Sequence, residues 1–167
     1  MCLTYDGPAM DDGAADSLTL AKWRRLSGGA VGRWLFGRIV SLRAPYFATI
    51  APRFLELRPG LCRVSMRKRR RVENHLGTVH AIALCNLAEF VGGLTCEVSI
   101  PRDMRWIPKG MDVRYLKRAV GRMRAVATPA FPPHAADAGY ELPFEVAVED
   151  PQGDAVMRAV IAMWVTP

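Results

Sequence analysis

Polar and apolar positions follow a helical period in the first part of the chain and a strand period in most of the rest. Leu18, Leu20, Trp23 and Leu26 fall on one helix, with Asp16 or Ser17 placed to cap it and Gly28-Gly29 to end it. A second helical run clusters Trp34, Leu35, Ile39, Val40 and Leu42, offers Arg33 and Arg38 as a polar side, and stops before Pro45. From residue 53 the pattern alternates. Arg53-Phe54-Leu55-Glu56-Leu57-Arg58 reads as a strand and Pro59-Gly60 as a turn. Cys62, Val64 and Met66, alternating with Arg63, Ser65 and Arg67, form the returning strand of a hairpin.

The alternation breaks at residues 74–94, NHLGTVHAIALCNLAEFVGGL. From 79 to 91 nearly every position is apolar or small on all sides of a helix, which places that helix in an interior. Gly92-Gly93 is the expected stop. Asn86 and Glu89 interrupt the pattern; three residues apart, they share a face within about 60°. A buried carboxylate costs on the order of several kcal/mol unless it is paired, hydrogen-bonded or protonated. Glu89 is therefore a candidate functional group, with a structural carboxylate paired to an arginine across a dimer as the plain reading.

Strand patterning resumes downstream. One long strand over 105–116 is bent at Pro108-Lys109-Gly110, a strand follows over 121–127, and 128–140 is a Pro/Ala-rich loop. Phe144, Val146 and Val148 mark a further strand, Asp150-Pro151-Gln152-Gly153 a turn, and 156–165 the last strand. Two strands, one apolar helix and about four strands predict an α+β fold, an antiparallel sheet curled around that helix. Residues 1–51 are read as a tail and helical extension, and 52–167 as the sheet-and-helix domain. Open sheet edges point to dimerisation.

At 167 residues, 50% hydrophobic and 23% charged, the chain has ordinary globular composition and the length of one domain. Its net charge of +7 suggests an anionic partner: nucleic acid, a membrane surface or a phosphate-bearing ligand. Five consecutive basic residues, Arg67-Lys68-Arg69-Arg70-Arg71, follow the hairpin. On a strand end about three of them, Arg67, Arg69 and Arg71, converge on one face and offer a phosphate site; a solvated strand end is the alternative. Arg102, Arg105 and Lys109 are comparable candidates. No aromatic side chains interleave the run and no binding motif accompanies it, so nucleic acid is not expected. The cysteines Cys2, Cys62, Cys85 and Cys96 form no C-x-x-C pair and no His/Cys cluster, so no metal is expected. The N-terminus lacks the apolar core of a signal peptide, and the apolar runs fall short of about 18 residues or are broken by arginines; a cytoplasmic protein without a transmembrane segment is expected. The second helical run is read as packed over the domain or a neighbouring subunit rather than as a membrane anchor, because its amphipathicity is modest.

The run Asn74-His75-Leu76-Gly77-Thr78-Val79-His80-Ala81 resembles the helix entry of hotdog-fold thioesterases of the phenylacetate-degradation and 4-hydroxybenzoyl-CoA types. His80 matches the motif His, Glu89 stands at the acidic position nine residues on, and Asn74 matches the Asn or Gln that precedes the helix. Arg43-Ala44-Pro45-Tyr46-Phe47 and Arg105-Trp106-Ile107-Pro108-Lys109-Gly110 resemble a bacterial hotdog subgroup. The resemblance implies hydrolysis of an acyl-CoA at a site shared by two subunits, as a homodimer or a dimer of dimers. No cofactor is implied beyond the CoA of the substrate. Glu89 would act as base or nucleophile, the Ala81 amide would polarise the carbonyl, Asn74 would orient water or thioester, and His80 would shape the loop. His80 and Glu89 lie about 180° apart on one helix, which moves the site onto a dimer interface. Ala81-Ile82 stands where relatives carry paired glycines, and Gly93 where some carry a hydroxyl. A non-catalytic hotdog domain binding acyl-CoA or lipid is the alternative.

Overall fold

The computed structural model describes residues 17–167; Asp16, one of the two expected caps of the first helix, lies outside them. Ser17 does the capping: its Oγ accepts from the Leu20 amide at 3.2 Å and opens α1 (Leu18–Leu26). After α2 (Ala30–Arg43) the chain makes a 3-10 turn at Pro45–Thr49 and enters β1 (Arg53–Arg58), which turns at Pro59-Gly60 into β2 (Leu61–Met66). Then come α3 (Ala81–Ser99), β3 (Arg105–Tyr115), β4 (Met123–Pro129), β5 (Tyr140–Glu149) and β6 (Ala155–Thr166).

All neighbouring strands are antiparallel, in the order β1-β2-β4-β5-β6-β3, so β1 and β3 are the two edges. The expected bend in β3 is a register shift between Pro108 and Gly110. Alternation decides what the sheet buries. Met123, Ala125 and Ala127 of β4, Phe144, Val146 and Val148 of β5, and Met157, Ile161 and Met163 of β6 point inward, onto α3.

α3 differs from its expected bounds at both ends. It starts at Ala81, because residues 73–79 form a closed loop, and it runs through Gly92-Gly93 to Ser99. The glycines do not stop the helix; they let its neighbours approach. A Cβ on Gly92 would lie 2.8 Å from Ile161 Cδ1, and one on Gly93 2.8 Å from the Trp106 ring. Packing on both sides outweighs a glycine penalty of about 1 kcal/mol each. By length and composition α3 qualifies as a membrane span, yet it is mostly buried within the sheet.

The N-terminal helices join the same core. Trp23 meets Phe36 at 5.2 Å between ring centroids, Phe36 meets Phe54 at 4.8 Å, and Phe54 meets Phe90 of α3 at 5.5 Å. This aromatic chain runs from α1 through α2 and β1 to the central helix. The expectation that α2 packs over the domain holds for one face of it.

Candidate active site

The site is built from the loop before α3. Asn74 Oδ1 accepts from the Leu76 and Thr78 amides at 3.0 and 3.1 Å, and its Nδ2 donates to Thr78 Oγ1 at 2.9 Å. A 3.1 Å bond from the Gly77 amide to the Asn74 carbonyl, with Gly77 at φ 71, closes the turn. The Val79 amide then donates to the Ala119 carbonyl and the His80 amide to the Val72 carbonyl, which fixes where the helix begins.

His80 caps α3: its Nδ1 accepts from the Ile82 amide at 3.1 Å, and its carbonyl takes the Ala83 and Leu84 amides. That accounts for three first-turn donors. The Ala81 N–H has no acceptor among the described residues. It is the unused positive end of the helix.

Glu89 lies two turns on. The sequence placed this carboxylate in an interior; in the single chain it is exposed, and no described residue bonds to it. Asn86, expected on the same face, is buried, and its Nδ2 donates to Thr49 Oγ1 at 3.0 Å. A separation of about 60° is enough to cross from the packed to the open side of the helix. The open side carries Ile82, Cys85 and Glu89, and it faces edge strand β3: Cys85 Sγ lies 3.0 Å from Tyr115 Oη, and one turn beyond Glu89 the buried Gly93 sits under Trp106. Burial and the Cys85 contact push the Tyr115 phenol up to about 12. Buried Cys96 is likewise pushed up to about 12 by burial and then by Glu97, and Cys62 goes higher still, so neither is a reactive thiolate.

Beside Glu89 a cleft of about 330 Å³ opens between α2, α3 and β3. Its walls include Phe36, Ile39, Val40, Phe47, Leu94 and Trp106, and Lys22 and Arg43 also line it. A second carboxylate there is occupied: Glu97 accepts from Thr19 Oγ1 at 3.2 Å and from Trp106 Nε1 at 3.1 Å. Glu89 is the free one. The walls contributed by α2 and the 3-10 turn were not foreseen from the sequence; the apolar spacing of Ile39 and Val40 was visible, but not what it would face.

The basic run is not on a strand. β2 ends at Met66, and Arg70–Val72 is a 3-10 turn, so the alternation expected of Arg67, Arg69 and Arg71 does not apply. Arg69 donates to the Thr49 carbonyl at 2.7 Å and Lys68 pairs with Glu73 at 3.1 Å, while Arg67, Arg70 and Arg71 are exposed.

Residues 32–165 match the family DUF4442, a domain of unknown function. The crystal structure of the structural-genomics protein APC5556 is 42% identical, covering 89% of this chain and 97% of that one, with a TM-score of 0.74. A Haemophilus influenzae thioesterase is 13% identical over 72% of this chain and 81% of its own, TM-score 0.63. A Staphylococcus aureus thioesterase, crystallised with a glutamine replaced by alanine, is 17% identical over 74% and 99%, TM-score 0.64. No curated protein matches.

Proposed function

We propose that this chain, which belongs to the DUF4442 family and carries the fold of the hotdog thioesterases, hydrolyses acyl-CoA thioesters at a site shared by two copies. One observation carries the reading: Glu89, a carboxylate without a partner among the described residues, stands on α3 beside an open sheet edge, and the helix-start amide of Ala81, likewise unused among them, lies on the same helix. About 12 Å of helix rise separates them, so one substrate carbonyl cannot meet both within one chain. A two-fold partner across the β3 edge brings the Glu89 of one chain to the Ala81 of the other.

In that arrangement Glu89 takes a proton from water, and the hydroxide adds to the thioester carbonyl. The developing oxyanion meets the Ala81 N–H, which needs no reorientation. Collapse expels the CoA thiolate, which recovers the proton from Glu89. Direct attack by Glu89, through an anhydride that water then opens, uses the same groups. Asn74 holds the loop that presents Ala81, His80 caps the helix, and the acyl group enters the apolar cleft beside Glu89. The CoA phosphates are assigned to the exposed guanidinium groups of Arg67 and Arg71, with Arg69 holding the segment to Thr49. The cytoplasm, where acyl-CoA is made, is the matching compartment. In the Staphylococcus aureus protein, structures exist with glutamine 32 or glutamate 47 replaced by alanine; that separation of fifteen equals the 89 − 74 between Glu89 and Asn74.

A non-catalytic acyl-CoA-binding role is the second reading, favoured by the exposed Ile82 side chain at the helix entry. Thiol release from a panel of acyl-CoAs distinguishes the two. Hydrolysis is expected, with Glu89→Gln lowering kcat by about 10²–10⁴-fold at unchanged stability. An unaffected kcat in Glu89→Gln would remove Glu89 from the chemistry, and binding without turnover would favour the second reading.

A further inference from the structure

α2 is apolar on two opposite faces. The inner face places Phe36, Gly37 and Val40 on the core, so close that a Cβ on Gly37 would lie 2.9 Å from the Pro52 carbonyl oxygen. The outer face carries Val31, Trp34, Leu35 and Leu42, exposed by 78%, 56%, 42% and 75%. With Arg38 these four fall within a stripe about 100° wide. Two opposed apolar faces cancel in any measure of one-sidedness, which is why the amphipathicity reads as modest from the sequence. Leu18 of α1 and Tyr46, just past α2, are exposed as well.

The segment that carries this stripe has charge of one sign: residues 17–52 contain six basic side chains, Lys22, Arg24, Arg25, Arg33, Arg38 and Arg43, and no acidic one. Of these Arg38 lies in the stripe and is exposed, Lys22 and Arg43 line the cleft on the inner side, and Arg33 donates to the Ser27 carbonyl at 3.2 Å. We infer that the outer face of α2 docks on an anionic lipid bilayer, with Trp34, Leu35 and Leu42 entering the headgroup boundary and Arg38, within a segment free of acidic residues, meeting lipid phosphates. A helix that lies in an interface combines these two features, an apolar stripe and a cationic surround. Arg38 sits within the stripe, and its long stem allows the guanidinium to reach the headgroups. A second copy of this chain fits less well: a two-fold contact sets the patch against itself, Arg38 facing Arg38 with no acidic group in either segment to pair with it. A nucleic acid would meet the charge and leave the aliphatic side chains uncovered. The inner face of the same helix lines the cleft beside Glu89, so docking sets that cleft close to the bilayer. The docking itself stands independently of any hydrolysis.

The test is co-sedimentation of the full-length protein with phosphatidylcholine vesicles and with vesicles containing about a third phosphatidylglycerol. Binding is expected to the anionic vesicles, to weaken with salt, and to fall by about tenfold or more in both Trp34→Ser/Leu35→Ser and Arg38→Glu. Circular dichroism and thermal melting establish that these surface variants are folded. Absence of binding to anionic vesicles, or binding indifferent to the substitutions, overturns the proposal. So does a wild-type oligomer that the Trp34/Leu35 variant dissociates, which makes a second copy the occupant. Binding that appears only after removal of residues 2–16, which include Asp6, Asp11, Asp12 and Asp16, overturns it too, in favour of the chain's own acidic segment.

Discussion

At the scale of residues, the two carboxylates on the cleft side of α3 differ in what they already hold. Glu97 accepts two hydrogen bonds, and Glu89 accepts none among the described residues. Glu97→Gln is expected to lower stability by about 1 kcal/mol in thermal denaturation and to leave hydrolysis within about a factor of three. Glu89→Gln is expected to do the reverse. Asn74 sits between these cases, because its side chain makes the turn that sets the helix entry. Asn74→Ala should cost about 1–2 kcal/mol and loosen residues 74–78, visible as faster amide exchange at Leu76 and Thr78. Protected amides at both positions in that variant would show that the loop holds without it. The sequence singled out Glu89 as a carboxylate in an apolar helix, and Asn74 through the family resemblance. Burial it could not supply: Glu89 is exposed in the single chain although Asn86, Leu87, Ala88 and Phe90 around it are buried.

At the scale of elements, glycines inside helices have opposite sensitivities. The atom facing a Cβ on Gly92 is the tip of Ile161, which can rotate; on Gly37 it is a backbone carbonyl, which cannot. Gly92→Ala should be near neutral, because the helical gain of about 0.5–1 kcal/mol offsets the crowding. Gly37→Ala should destabilise by about 1–2 kcal/mol and lift α2 from β1, so chemical denaturation of the pair reads the difference. The β5–β6 turn adds a pH dependence. The hydrogen bond from Lys117 at 2.7 Å holds Asp150 below its ordinary 3.8; burial opposes this, and the Asp154 and Gln152 amides add to the lowering. A lowered folded-state value means the stabilisation is complete above the ordinary carboxylate range and is lost as pH falls through the lowered one. The stability gap between wild type and Asp150→Asn should therefore be widest near neutral pH, narrow as pH falls below the ordinary 3.8 and close once it has passed the lowered folded-state value. A gap that is constant across that range would show that the charge is not the cause.

At the scale of the whole molecule, the open β3 edge and the exposed Glu89 both border the cleft side of α3, so the proposed hydrolysis depends on the proposed assembly. If each site takes Glu89 from one copy and the Asn74 loop from the other, equal mixing of Glu89→Ala and Asn74→Ala chains restores one intact site in each mixed dimer. Random reassortment then puts one intact site in half of the dimers, about a quarter of wild-type activity from those sites and a total above the mean of the two parents. Failure of dissociated and re-mixed chains to gain any activity would place both groups within one chain. The aromatic chain from Trp23 to Phe90 makes the N-terminal helices part of the same cooperative unit, so Phe36→Ala should cost about 3–5 kcal/mol although it lies outside the sheet.

The sequence by itself determined the order of elements, the turn between β1 and β2, the bend in β3 and the apolar central helix. These depend on periods of two and 3.6 and on local punctuation by glycine and proline, which neighbouring residues carry among themselves. It also marked Glu89, as a carboxylate breaking an apolar helix, and the resemblance to hotdog thioesterases added Asn74, His80 and Ala81. Tertiary structure decided the rest. It carried α3 through Gly92-Gly93, because Ile161 and Trp106 press on those positions from strands far along the chain. It turned the basic run off its strand, gave α2 an outer apolar face beside its inner one, and assembled the cleft from α2, α3 and β3. Each of these depends on which distant side chain lies within a few ångströms, and local periodicity holds no record of that.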